Sequence, residues 1–168
     1  MGVDRFTTAG DKLSIFEVEG VKIGLLICYD GTFPEPARVL ALKGINILIL
    51  PTNWPMHSEN VADHVIVTRA IESKIYVLSV NRIGKEGDFE FCGKSKFCSP
   101  DGNILDQAAS NEFKMISAEV DVDLSRNKKS VRIAGVYELD NVNGRRAELY
   151  GGLQKIRNSD EIDIVLTL

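Results

Sequence analysis

The sequence places a nucleophilic side chain, Cys28, where a buried strand ends and a loop begins. Residues 22–28 are rich in large aliphatic side chains, which predicts a strand covered on both faces. In open α/β sheets, reacting groups collect beyond the carboxyl ends of strands, and a helix N-terminus there favours a thiolate or a developing oxyanion. Cys28 is therefore a candidate nucleophile, although its position alone also fits a small core residue.

The segments that must position Cys28 alternate between strand and helix patterns. The strands are predicted at residues 12–18, 22–28, 45–50 and 75–80. The helices are predicted at about 35–43 and 59–74, with Pro36 in a first turn and Gly44 at a C-terminal stop. This order predicts an α/β fold with helical crossovers and a largely parallel sheet.

The second half of the chain has a different pattern, which makes the predicted sheet mixed. Residues 91–99 and 103–107 flank the turn signal Pro100-Asp101-Gly102, and residues 115–122 alternate as a further strand. Residues 123–144 are polar and predicted to be irregular. We expect one domain over residues 1–168, with the tail at 151–168 as a candidate contact between subunits.

Composition and charge exclude several classes of function. The net charge of -4 and the lack of a basic block predict no nucleic-acid partner and no membrane surface. Three cysteines without a Cys-x-x-Cys pair, and only two histidines, predict neither a metal site nor a disulfide framework. A reducing cytoplasm is the expected location, and no cofactor is expected.

The residues around Cys28 closely resemble the cysteine motif of the nitrilase superfamily of carbon–nitrogen hydrolases. The matching segments follow in the family's order from about residue 6 to 150: KIGLLICYD at 22–30, FPE at 33–35 with Arg38, LPTNWP at 50–55, RAIE at 69–72, VNRIG at 80–84, GKS at 93–95, SPDG at 99–102 and RRAELY at 145–150. A hydrolase elbow of the Gly-x-Ser-x-Gly type does not fit, because Leu26 and Asp30 occupy the glycine positions.

The resemblance implies an αββα sandwich, incomplete at the N-terminus, and cleavage of an amide, carbamoyl or nitrile group through a thioester acyl-enzyme. It makes Cys28 the nucleophile, the Tyr29 N–H an oxyanion donor, and the loop with Asn53 and Trp54 part of the substrate pocket. Trp54 equally fits a core position. Site support is assigned to five further residues: Asp30, Glu35, Arg38, Glu72 and Asn81.

The family's glutamate and lysine, which complete its triad, precede the cysteine strand, and no residue of this sequence matches them. Lys12 and Lys22 fall instead in the predicted hairpin before Cys28. Two hypotheses remain open. The first is a hydrolase whose glutamate and lysine come from elsewhere, with this chain a truncated product, a fragment or one half of a split enzyme that a separate chain completes. The second is a catalytically inactive binding or assembly module. The resemblance also implies a homo-oligomer, and the substrate's identity stays open.

Overall fold

The computed structural model describes residue 8 and residues 10–154. Its strands are β1 (Ser14–Val18), β2 (Val21–Leu25), β3 (Ile47–Thr52), β4 (Tyr76–Asn81), β5 (Ile83–Glu86), β6 (Phe89–Cys92), β7 (Lys96–Cys98), β8 (Ile104–Gln107), β9 (Lys129–Ile133) and β10 (Tyr137–Asp140). Its α-helices are α1 (Pro34–Leu42), α2 (Ile66–Ser73) and α3 (Val122–Arg126). A π-helical segment, Val61–Val65, runs directly into α2.

Six strands form the main sheet, in the order β1-β2-β3-β4-β7-β8. The three central strands β2, β3 and β4 are parallel, whereas β1, β7 and β8 each pair antiparallel to a neighbour. The pairs β5–β6 and β9–β10 form separate two-stranded sheets. The predicted α/β class with a mixed sheet and helical crossovers is thereby confirmed.

The core lies between one face of this sheet and the helices α1 and α2. Alternate residues of β3 point to that face, so Leu48 and Leu50 are fully buried, and Val77 lies beside Leu48 on the next strand. The helices contribute Leu40 and Ile66, also fully buried. Burial of these side chains supplies most of the stabilisation that holds the strand ends in place.

The opposite sheet face is apolar but less covered. It carries Ile23, Ile47 and Ile49, which are half-buried, and Val80, which is 48% exposed. The described residues thus form one helical layer on one sheet, which corresponds to half of the expected αββα arrangement. At the start of β4, Tyr76 is buried, and its hydroxyl donates to the Asp121 carbonyl oxygen at 3.0 Å.

Two predictions from the second half of the chain are wrong. Residues 115–120 form no strand, because their alternating exposed and half-buried residues meet no β partner among the described residues. Residues 123–144 were expected to be irregular but contain most of α3 and the hairpin β9–β10, with Gly135 at φ +70° in its turn. In the tail, residues 151–154 form a 3₁₀ turn, and the rest of the predicted subunit contact lies outside the described residues.

Candidate active site

Cys28 opens a tight 3₁₀ turn, Cys28–Thr32, three residues beyond the end of β2. Its φ of +47° is in the left-handed region, which costs a non-glycine residue of order 1–3 kcal/mol and is concentrated at functional sites. The Asp30 carboxylate accepts the Ile27 N–H at 3.0 Å, and the Asp30 N–H donates to the Ile27 carbonyl at 3.0 Å. Asp30 therefore holds both sides of the turn that presents the thiol.

Gly31 allows this turn to lie directly on the sheet. A Cβ at this position would be 2.5 Å from Leu50 Cδ2, closer than any real contact. Leu50 is itself fully buried in β3, so it cannot move away from a larger residue at position 31 without disturbing the core. The glycine thus ties the position of Cys28 to the packing of the central strand.

Arg69 of α2 clamps the same turn from the helix side. Its Nε donates to the Gly31 carbonyl at 3.3 Å and its Nη2 to the Thr32 carbonyl at 2.8 Å. Its Nη1 pairs with Glu72 Oε1 at 3.0 Å, one helical turn along α2. Glu72 therefore supports the site through Arg69, and the arginine itself, which the sequence pattern did not assign to the site, makes the contacts with the turn.

Asn81, at the end of β4, connects the loop after β3 to the hairpin that follows β4. Its Oδ1 accepts the Thr52 hydroxyl at 2.6 Å and the Trp54 N–H at 2.9 Å, and its Nδ2 donates to the Gly93 carbonyl at 2.6 Å. Asn81 is 6% exposed, so these hydrogen bonds are shielded from water. They fix the loop that carries Asn53 next to the Cys28 turn.

A cleft of about 350 Å³ opens at the carboxyl ends of β2, β3 and β4. It brings Cys28 together with Asn53 and Asn81, as a site at the ends of parallel strands requires. Its lining is Ile27, Cys28, Pro51, Thr52, Asn53, Val80, Asn81 and Arg82.

The other residues assigned from the sequence lie around the cleft rather than on its lining. Trp54 is 6% exposed and belongs to the core cluster under the loop. Tyr29 is 59% exposed and meets Phe33 edge-on at 4.9 Å between ring centroids. Glu35 is exposed in the first turn of α1, where a carboxylate stabilises the helix dipole. Arg38 donates to the Asn141 carbonyl at 3.2 Å, and burial lowers its pKa.

The three thiols differ strongly in accessibility. Cys28 is half-buried at the edge of the core, whereas Cys92 and Cys98 are both fully buried. Burial raises the pKa of the Cys92 thiol, and it raises that of Cys98 to about 11. The thiolate is the reactive form of cysteine, so both buried thiols are poor nucleophiles at neutral pH.

Two features are absent from the part of the chain that the structure describes. No group of three or more histidine, cysteine, aspartate or glutamate side chains there has an arrangement that could hold a metal ion. No helix among them is long and apolar enough to cross a bilayer.

Comparison with known proteins gives a consistent family. The model of the carbon-nitrogen hydrolase family matches residues 3–129. A nitrilase from Pyrococcus abyssi is 35% identical over 136 residues, which are 81% of this chain and 49% of that protein. A 2-oxoglutaramate amidase from Bacillus subtilis is 35% identical over 120 residues, 71% of this chain and 46% of that protein.

Solved structures agree with the sequence relatives. An amidase from Nesterenkonia sp. superposes with a TM-score of 0.72 at 25% identity, covering 88% of this chain and 49% of that one. A variant of a Nesterenkonia amidase, with a TM-score of 0.70 at 26% identity over 86% of this chain and 48% of that one, carries an acetamide moiety on its active-site cysteine. The chain spans about half the length of the relatives it matches. It belongs to the carbon-nitrogen hydrolase family.

Proposed function

We propose that this chain carries the nucleophile of an enzyme that hydrolyses nonpeptide carbon–nitrogen bonds, and that Cys28 is this nucleophile. The observation that carries the proposal is the placement of Cys28, with its left-handed φ, in a 3₁₀ turn on the wall of the cleft. The turn is held by Asp30 and by Arg69, so the thiol is positioned before any substrate binds. The amidases and nitrilase among the relatives support the same chemistry.

The reaction begins when the Cys28 thiolate attacks the carbonyl carbon of an amide or carbamoyl group, which forms a C–S bond and a tetrahedral oxyanion. Collapse of this intermediate breaks the C–N bond, and the nitrogen leaves as an amine or ammonia after it takes up a proton. Water then attacks the thioester, which releases the acid and returns the thiol. A nitrile reaches the same thioester through a thioimidate, which adds one water molecule and then loses its nitrogen as ammonia.

The oxyanion needs donors that are already in place. Because the Asp30 N–H makes the first hydrogen bond of the 3₁₀ turn, the Tyr29 N–H comes before it and has no partner within the turn pattern. We assign this N–H to the oxyanion. The exposed Asn53 side chain faces the cleft and is assigned to the substrate, while the buried Trp54 supports the loop from below.

Proton transfer requires a group that the described cleft does not contain. None of the residues that line it is a carboxylate, an imidazole or a lysine. We therefore propose that a glutamate and a lysine reach Cys28 from outside this lining, either from further sequence of the same enzyme or from a separate chain. The same observation favours the second candidate function, a binding or assembly module that keeps the cleft without turnover.

Alkylation followed by peptide mapping tests the role of Cys28. The native chain is treated with iodoacetamide at neutral pH, and the modified fraction of each cysteine is followed with time. We expect Cys28 to react first and the two buried thiols to react only after unfolding in urea. The Cys28→Ala variant should take up no label on the same timescale.

Equal or slower labelling of Cys28 relative to Cys92 and Cys98 would overturn its assignment as the nucleophile. Turnover separates the two candidate functions. When the native chain is incubated with a small amide, an acyl adduct on Cys28 detected by intact mass supports the hydrolase. Rapid alkylation of Cys28 without any acyl adduct, in the presence of the partner chain as well, supports the binding module.

A further inference from the structure

Arg82, the residue after β4, is the one cationic side chain among the described residues that line the cleft. Three of its neighbours on the wall, Ile27, Pro51 and Val80, are apolar, and the remaining ones are uncharged. A cation on such a wall creates a local preference for negative charge, because no other residue of the lining carries a formal charge and the apolar neighbours cannot bind an anion themselves. The described cleft is thus electrostatically asymmetric.

The backbone of Arg82 is fixed relative to the rest of the site. Its N–H donates to the Thr52 carbonyl at 3.1 Å, and its carbonyl accepts the Gly93 N–H at 3.1 Å. These bonds join Arg82 to the end of β3 and to the hairpin that Asn81 also holds. The guanidinium therefore extends from a rigid point on the cleft wall.

The side chain of Arg82 is restrained as well. Its guanidinium lies 4.6 Å from the centroid of the Phe91 ring, and its Nη1 forms an ion pair with Glu86. Within the described part of the chain, Nε and Nη2 make no hydrogen bond, and 41% of the side chain remains exposed. The Nε–H and Nη2–H groups lie on one edge of the planar guanidinium, and this edge can bind a carboxylate with two parallel hydrogen bonds.

We propose that Arg82 binds a carboxylate of the substrate, so that the enzyme acts on small amides or carbamoyl compounds that carry a carboxylate group away from the reacting carbon. The inference rests on the proposed role of Cys28. Cys28 and Arg82 line the same cleft, so a small substrate can contact both. Binding of the carboxylate at Arg82 would orient the reacting carbon toward the thiol.

The test compares two alkylating reagents of nearly equal size at Cys28. Iodoacetate carries a carboxylate and iodoacetamide is neutral, so the ratio of their rate constants at Cys28 reports the preference of the cleft for an anion. Any change in the reactivity of the thiol itself affects both reagents and cancels in the ratio. This measurement requires neither turnover nor the missing proton-transfer groups.

We expect Arg82→Gln to lower the iodoacetate-to-iodoacetamide ratio about twofold to fivefold, the usual effect of one partly exposed charge. The loss should shrink at high salt, because ions screen exposed charges. Arg82→Lys should keep part of the ratio, because lysine retains the charge but not the two parallel donors. Arg132→Gln is the matched control, because it removes an equal charge from the exposed surface of β9, outside the cleft lining, and should leave the ratio unchanged.

The outcomes separate this inference from the proposal beneath it. If Cys28 in the native chain resists both reagents, its role as the nucleophile fails and the inference fails with it. If Cys28 reacts but the ratio in Arg82→Gln equals that of the unmodified sequence, only the carboxylate assignment is overturned. An equal decrease in Arg82→Gln and Arg132→Gln would attribute the effect to net charge and would also overturn it.

Discussion

Removing the Arg69 clamp should destabilise the fold through the turn that carries Cys28. In Arg69→Leu, the Gly31 and Thr32 carbonyls lose their donors at 3.3 and 2.8 Å. A hydrogen bond to a charged donor contributes about 1.5–3 kcal/mol. The bond to the Gly31 carbonyl is the longer and weaker of the two, and the carbonyl of the exposed Thr32 can accept a hydrogen bond from water instead. We therefore expect the free energy of unfolding to fall by about 3 kcal/mol, an amount typical of breaking a buried charged network.

Urea unfolding followed by tryptophan fluorescence measures this loss, because Trp54 is the only tryptophan in the chain and is buried in the core. Glu72→Gln is the control. It removes the charge of the ion-pair partner, whose side chain is 29% exposed, and keeps both hydrogen bonds to the turn. We expect a cost of no more than about 1 kcal/mol for this control.

A second readout links the clamp to the site. If Arg69 holds the turn, the rate of Cys28 alkylation in the native state should change in Arg69→Leu and stay close to its normal value in Glu72→Gln. The reasoning is refuted if the two variants lose equal stability, since the carbonyl contacts would then contribute nothing beyond the ion pair.

Three further predictions concern the packing and burial of single residues. Gly31→Ala should lower the free energy of unfolding by about 2 kcal/mol, because the added methyl group clashes with Leu50. In a double-mutant cycle followed by urea unfolding, Leu50→Val should recover part of that loss. Strictly additive effects of the two substitutions would argue against the clash. Asn81→Ala should cost about 3 kcal/mol because it leaves the Trp54 N–H unpaired, whereas the exposed Asn53→Ala should stay within about 0.5 kcal/mol in the same urea titration.

The third of these is a pH dependence. The pKa of the Cys98 thiol is raised to about 11 in the folded chain, so its stabilising contribution is complete below the unfolded pKa and is lost as pH rises toward 11. Between about pH 9 and 11 the native chain should lose about 2 kcal/mol more stability than Cys98→Ala in urea titrations. Parallel curves for the two proteins would contradict the assignment.

The parts of the fold that could be predicted are those whose pattern is local. The apolar runs at 22–28, 45–50 and 75–80 predict the three parallel strands, and they also place Cys28 at the carboxyl end of the first. The strand itself stops at Leu25, because Asp30 bonds back to Ile27 and turns the chain before the cysteine. Local pattern thus gave the edge of the sheet but not the geometry of the thiol.

The parts that could not be predicted depend on contacts between distant residues. Arg69 reaches Gly31 across 38 positions of the chain, and Asn81 reaches Trp54 across 27. No periodicity in the sequence reports such contacts. The hairpin β9–β10 was missed for a different reason: both strands are largely exposed, so they lack the buried alternation that identifies a strand.

The structure separates the placement of Cys28, the proposed nucleophile, from its activation. Placement depends entirely on described residues: the turn at Asp30, the close approach of Gly31 to Leu50, and the clamp from Arg69. Activation requires a proton acceptor, and the described cleft lining contains none. Alkaline solution ionises an accessible thiol without a catalytic base. The rate of alkylation at high pH therefore measures placement alone, and the rate of acyl transfer at neutral pH measures both.

A chain that alkylates readily at high pH but transfers acyl groups slowly at neutral pH would have a formed site and a missing base. Addition of a partner chain that carries a glutamate and a lysine should then restore acyl transfer at neutral pH with little effect on the alkaline alkylation rate. If the partner instead raised both rates equally, placement would also depend on it, and the turn at Cys28 would not be the preformed element that its contacts indicate.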